Sequence, residues 1–251
     1  MKQQTPRFPI FHVPHDGDEF PDELLCSVCI PMEAFMAYHE KMRDVDVRKM
    51  MPQPYSAQCF EISRLLCDVE RFIGPTEIME QYGMGFCYEK VYDGTKIKQI
   101  TEELLAATRR YYGRHHRQMT LLCEEHPRVL FFDLHSYSDE IIPPHALRSG
   151  MVTPDLCIGT DAHFTPPALT EIVRHCFSKA GFAIAENFPY EGLYVPENVL
   201  FGQCSCDFVG IMLELNRRAY CDRAGRSRTE RRKLIRSIIN EILIEYEKLG
   251  I

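Results

Sequence analysis

The chain has 251 residues, 45% of them apolar and 26% charged, with 14 Gly and 16 Pro, which excludes disordered and fibrous folds and fits one large domain spanning residues 1–251. Its formal net charge is −7, from 29 Lys and Arg against 36 Asp and Glu. No cation excess is left to neutralise a phosphate backbone, so nucleic acid is not an expected partner and any anion site is a local basic pocket.

Residues 1–13 lack the apolar core of a signal peptide, and no apolar run approaches the length needed to span a bilayer. A cytoplasmic protein without membrane contact is expected. Eleven cysteines, mostly embedded in apolar patterns, suit reduced thiols. Cys26-x-x-Cys29 and Cys204-x-Cys206 lack a matching second half at zinc-site spacing and read as ordinary thiols.

In chain order, Phe8 to Val13 reads as a strand ending at Pro14 and a polar turn, His15-Asp16-Gly17-Asp18. Pro31 to Val45 has helical spacing, with the proline in the first turn. A second strand is expected over Cys59 to Cys67, ending at Asp68-Val69-Glu70-Arg71, and a short third over Phe86 to Val91. Thr95 to about Glu125 reads as a helix with a break near Gly113. Arg128 to Leu134 is continuously apolar, as in a central strand buried on both faces, and ends in Asp133-Leu134-His135-Ser136. Leu156 to Gly159 is a short strand, Pro167 to Lys179 an amphipathic helix, Ala183 to Glu186 a strand, and Phe208 to Leu215 a late strand ending in Asn216-Arg217. Ser227 to Leu249 closes the chain as a helix, with Ser227 and Glu230 spaced as a capping box. Alternating elements of this kind predict an α/β fold, a three-layer α/β/α sandwich with a mixed sheet.

Reactive groups in such folds gather past the carboxyl ends of strands. Four predicted strand ends carry suitable pairs: His15 with Asp18, Asp68 with Arg71, Asp133 with His135, and Glu214 with Arg217. Two histidines and one carboxylate with an open fourth position make a hydrolytic zinc site, because three ligands hold the ion while a water beside it is acidified. His15 and His135 are the expected imidazole ligands. The spacing His15-x-x-Asp18 lets one turn supply the carboxylate, and Asp133 could orient an imidazole. Glu214, an acid inside an apolar strand, is the expected acid/base, since burial raises a carboxyl pKa. Arg71 and Arg217 suit a substrate with one or two carboxylates.

Seven pieces occur in the order seen in the N-formylglutamate amidohydrolase family. They are Val13-Pro14-His15-Asp16-Gly17; Ser63-Arg64-Leu65 through Asp68-Val69-Glu70-Arg71-Phe72; Gly83-Met84-Gly85; Asp133-Leu134-His135-Ser136; Gly159-Thr160-Asp161-x-His163-x-Thr165-Pro166; Asn187-x-Pro189-Tyr190-x-Gly192; and Glu214-Leu215-Asn216-Arg217. The chain resembles that family over about residues 10–225. The resemblance implies a phosphorylase/hydrolase-like fold related to zinc carboxypeptidases, and cleavage of a small acidic N-acyl amino acid such as N-formyl-L-glutamate to formate and the free amino acid. It implies Zn2+ held by His15, His135 and Asp18, with Asp68 the alternative third ligand because position 18 is Asp where relatives have Glu. Arg71 would bind the substrate carboxylate and Glu214 would be the acid/base. Position 70 is Glu where relatives have Asn, which adds a negative charge beside Arg71. Arg217, Asn187 and Tyr190 are further candidates for substrate contact, and Asp161 and His163 for lining the pocket.

Overall fold

The computed structural model describes residues 5–74, 76–142 and 152–250. Its centre is a six-stranded mixed sheet built from β1 (Phe8–Val13), β2 (Ser56–Cys59), β3 (Arg128–Tyr137), β4 (Leu156–Gly159), β5 (Ile184–Glu186) and β6 (Asp207–Asn216) in the order β2-β1-β3-β6-β4-β5. All neighbouring pairs run parallel except β4 against β6. The helices are α1 (Asp22–Leu25), α2 (Met32–Met42), α3 (Glu102–Glu124), α4 (Pro167–Lys179), α5 (Glu197–Leu200) and α6 (Thr229–Lys248).

Strand alternation decides which face each residue serves. Leu130, Phe132 and Leu134 of β3, with Val209, Ile211, Leu213 and Leu215 of β6, pack on Leu169, Val173 and Phe177 of α4 and on Ile235, Ile239 and Ile242 of α6. Val129 and Phe131 point the other way, onto Met119 and Cys123 of α3. Both faces are therefore covered, which is the expected three-layer sandwich, and the buried centre explains the unbroken apolar run of β3. A third cluster joins Phe35 of α2 and Leu104 of α3 to Leu65, Leu66, Val69, Phe86 and Tyr88. It makes the segment between β2 and α3 a buried, largely irregular layer. Among the described residues, no helix is long and apolar enough to cross a membrane.

Several element boundaries differ from those expected. The second strand is Ser56–Cys59 rather than Cys59 to Cys67, because Leu65, Leu66 and Cys67 bury themselves against α2 and α3 instead of joining the sheet. Phe86 to Val91 forms no strand and contributes a single bridge from Lys90 to Lys96. Residues 95–100 precede the helix, which begins after Thr101, whose hydroxyl accepts the Leu104 amide at 3.2 Å. It runs unbroken through Gly113. The capping box is not formed: the residue before α6 is Arg228, without a side-chain cap, and the Ser227 hydroxyl donates to Asp46.

Candidate active site

His15 and Asp44 are brought together by the turn after β1. The His15 carbonyl accepts the Asp44 amide at 2.8 Å. The buried Asp16 carboxylate accepts the amides of Asp46 at 3.1 Å and Arg48 at 2.9 Å. This ties the turn to the chain that leaves α2. Gly17 lies flat against the next segment, where a Cβ would stand 2.5 Å from the Glu61 carbonyl carbon.

β3 and β6 supply the remaining groups. Their register pairs His135 with Glu214 and Asp133 with Met212. Asp133 and His135 share the α3 side of β3, and on β6 the α4 and α6 side is taken by Leu213 and Leu215, so Glu214 faces the same way as His135. Burial pushes the Glu214 carboxyl up to about 8, against the opposing charge of His135.

Each imidazole has two differently occupied edges. His15 Nε2 lies 2.9 Å from Asp68 Oδ1, whereas His15 Nδ1 is buried without a hydrogen-bond partner, 3.7 Å from Asp44 Oδ2. His135 Nδ1 lies 3.3 Å from the same Asp44 oxygen, and His135 Nε2 is 3.1 Å from both Glu70 Oε1 and Asp133 Oδ1. Burial disfavours the Asp44 charge, yet the hydrogen bond of His135 and the charges of His135 and His15 outweigh it and hold this carboxyl below its ordinary range.

Two donor sets converge closely enough to receive a metal ion, His15 with Glu70 and His135, and the neighbouring His12 with Glu70 and Asp133, while Asp44 lies between the Nδ1 atoms of His15 and His135. Ions held at about 2.0–2.2 Å by nitrogen and oxygen in a tetrahedron set their ligand atoms about 3.3–3.6 Å apart. The 3.3 Å from Asp44 to His135 falls within that range and the 3.7 Å to His15 lies just above it, and the orphaned His15 Nδ1 is a donor with no other employment.

The expected third ligands are placed elsewhere. The Asp18 side chain is 60% exposed and faces Arg43 at 3.4 Å, because the turn directs it outward while Asp16 goes in. Asp68 is saturated: besides His15, it accepts from the Tyr88 hydroxyl at 2.8 Å, Arg64 at 2.9 Å and the Glu70 amide at 3.1 Å. It grips the outer edge of the His15 ring, as carboxylates behind metal-binding histidines do. Asp68 and Arg71 also lie well past the observed β2, in the buried irregular layer rather than at a strand end.

A cavity of about 750 Å³ opens over these groups and is lined by His15, Asp44, Glu70, Arg71, His135 and Glu214, among others. Arg71 is half-buried, with Nε 3.7 Å from Asp68 Oδ2. Tyr190 also lines the cavity, its ring edge-on to Tyr137 at 5.6 Å. Arg217 does not line it, because its guanidinium donates to the carbonyls of Glu40 and Arg43 and so fastens β6 to α2. Asn187 is likewise structural. Its Oδ1 accepts the Thr160 amide at 3.0 Å, its Nδ2 donates to Thr160 Oγ1 at 2.8 Å, and its backbone is left-handed at φ 49°. Asp161 borders the cavity but turns its carboxylate onto the amides of His163 and Phe164, and His163 is exposed.

Asp44, His12 and His115 are the groups that spacing did not reveal. His12 Nδ1 lies 2.9 Å from Asp133 Oδ1 and His12 Nε2 3.0 Å from His115 Nε2, a buried polar chain beneath the site. The repeated acids in Arg43-Asp44-Val45-Asp46 were the sequence signal for Asp44.

The model of the N-formylglutamate amidohydrolase family matches residues 9–221. Among solved structures, an N-formylglutamate amidohydrolase from Ralstonia eutropha JMP134 is 18% identical and superposes with a TM-score of 0.77, covering 99% of this chain and 97% of its own. A bacteriophage poly-gamma-glutamate hydrolase is 15% identical with a TM-score of 0.43, covering 99% and 88%. No curated protein sequence matches the chain.

Proposed function

The chain belongs to the N-formylglutamate amidohydrolase family, and from that premise we propose that it is a zinc-dependent amidohydrolase that cleaves the amide of an N-acyl amino acid, N-formyl being the acyl group the family points to. The observation that carries this reading is the orphaned Nδ1 of His15 beside Asp44, on the floor of a cavity that also holds His135 and Glu214. Zinc is favoured because two imidazoles and one carboxylate are its usual hydrolytic donor set.

When bound, zinc supplies Lewis acidity at the acyl oxygen and lowers the pKa of an adjacent water. His15, His135 and Asp44 would hold it, with Glu70 on the opposite edges of the rings as the alternative carboxylate. Asp68 fixes the His15 ring by occupying Nε2, and Asp133 does the same for His135. Glu214, with a carboxyl near neutrality, can take the proton of the attacking water and return it to the departing nitrogen, since a group of matched pKa exchanges protons in both directions. Arg71 pairs with the substrate α-carboxylate and sets the amide over the reacting groups. Tyr190 lies on the same wall and can hydrogen-bond the substrate.

The test is metal analysis of purified protein followed by assay of formate release from N-formyl amino acids, with and without a chelator. About one zinc per chain, and activity lost on chelation and restored by zinc, is the expected result. Formate release that is indifferent to complete metal removal overturns the metal assignment, and the absence of hydrolysis on every N-acyl amino acid overturns the activity.

A further inference from the structure

Two hydrogen bonds leave the imidazole of His116, on α3, toward two different segments that border the site. His116 Nε2 lies 2.9 Å from the Val69 carbonyl oxygen and His116 Nδ1 lies 3.2 Å from the Tyr194 hydroxyl. A carbonyl only accepts, so Nε2 carries the hydrogen, and Nδ1 is the bare nitrogen that accepts from Tyr194. Burial lowers the His116 pKa to about 4, which keeps the ring neutral and this tautomer in place near neutral pH. The ring also stacks on Tyr112, one turn earlier in α3, with centroids 4.1 Å apart.

Each partner of His116 leads to a carboxylate behind one of the proposed ligands. Val69 and Glu70 share a peptide unit whose carbonyl is held by His116 and whose amide donates to Asp68 Oδ1 at 3.1 Å. The same Asp68 oxygen lies 2.9 Å from His15 Nε2. From the other segment, the Tyr194 amide donates to Asp133 Oδ2 at 3.2 Å, and Asp133 Oδ1 is 3.1 Å from His135 Nε2. Resting on the metal site proposed above, we infer that His116 is a positioning residue, which holds both carboxylates, and through them the rings of His15 and His135, in the geometry that receives the ion. A peptide unit is a rigid plane, so fixing its oxygen also fixes the direction of its N–H. With the Val69 carbonyl released, the unit can rotate and the Glu70 amide can part from Asp68. Asp68 would keep Arg64 and Tyr88 on Oδ2, and Asp133 would keep His12 on Oδ1. The ligand rings would loosen and not be lost.

The experiment is a zinc competition titration, with amide hydrogen exchange of the metal-free protein read at residues 70 and 194. His116→Phe keeps a ring to stack on Tyr112 but offers neither bond. It should weaken zinc binding about tenfold, the low end for residues that orient a ligand, and speed exchange at both amides by a similar factor. Tyr194→Phe should speed exchange at residue 194 alone and weaken zinc binding by less. His116→Gln, whose amide carries a donor and an acceptor, should return affinity and exchange to within about threefold of the parent. Met119→Ala empties a buried position of the same helix, packed on Val129 and Phe131. It should lower stability in urea and leave zinc affinity and both amides unchanged. Parent-like zinc affinity in His116→Phe, or parent-like exchange at both amides, overturns the inference. So does an equal loss in Met119→Ala, which would mark the effect as a general loosening of the fold. A parent that binds no zinc overturns the metal site, while faster exchange at both amides in His116→Phe still upholds the hold on the two carboxylates, so the two readings fail separately.

Discussion

Glu214 and His135 are register partners on adjacent strands, so the proposed acid/base is held beside the proposed ligand by backbone pairing and not by a flexible loop. Glu214→Gln keeps the shape and removes the basic oxygen. Zinc content should stay at the parent level while kcat falls by roughly two to four orders of magnitude, as measured by metal analysis and steady-state kinetics on one protein sample. Turnover near the parent value would remove Glu214 from the proton transfers. The carboxylate ligand can be decided in the same way. Loss of a residue that only orients a ligand lowers metal affinity by about 10–100-fold. Asp44→Asn should exceed that range in a zinc competition titration, and Glu70→Gln should stay within about tenfold. The reverse order would place the ion on the Nε2 edges. Arg71→Ala should raise KM with kcat little changed, from loss of a charge-assisted pair worth about 1.5–3 kcal/mol.

At the scale of elements, what the sequence made legible follows from where burial and periodicity coincide. β1, β4 and α4 fall on the expected residues because each has a clean pattern and a Pro or Gly at its edge. The apolar run Leu65-Leu66-Cys67 has the same composition as a strand but is buried in an irregular layer, and local pattern cannot separate the two. His15, His135 and Glu214 were readable because they sit at true strand ends, in elements whose apolarity announced them. Asp44 was not, because it comes from the exit of α2 and is placed by tertiary contacts alone, its amide donating to the His15 carbonyl and its carboxylate meeting His135 and Ser136. The bond to the His15 carbonyl depends on the turn after β1 keeping its path, and Gly17 is where the path is tightest. A Cβ there would meet main-chain atoms of Glu61 and Ile62 at 2.5–2.6 Å, and backbone cannot swing aside as a side chain can. Gly17→Ala should lower stability by about 1–3 kcal/mol in urea unfolding and weaken zinc binding with it. Unchanged unfolding and unchanged affinity would show that the turn shifts freely.

For the molecule as a whole, the site concentrates like charge where the fold is driest. Asp44, Asp68 and Asp133 are buried together with His15 and His135, and Glu70 joins them from the cavity side. Burial works against each of the three aspartates, which stay below their ordinary range through the histidines and, for Asp68, the Arg64 and Arg71 guanidiniums. A divalent cation at the proposed site would bind the folded arrangement and not the unfolded chain, in which residues 15, 44 and 135 are far apart, so its binding free energy would add to folding stability. With free zinc at about a hundred times its dissociation constant the gain is about 2.7 kcal/mol, and for a chain of this size each kcal/mol moves Tm by about 2–4 °C. Chelation should therefore lower Tm by about 5–11 °C in a calorimetric scan, and zinc should restore it. Glu214→Gln should show the same shift, because it leaves the donors in place. In the double variant His15→Ala/His135→Ala the melting temperature should no longer respond to chelator or zinc. A full shift in that double variant would mean that the stabilising ion sits on other residues, with His12, Glu70 and Asp133 the next group to remove.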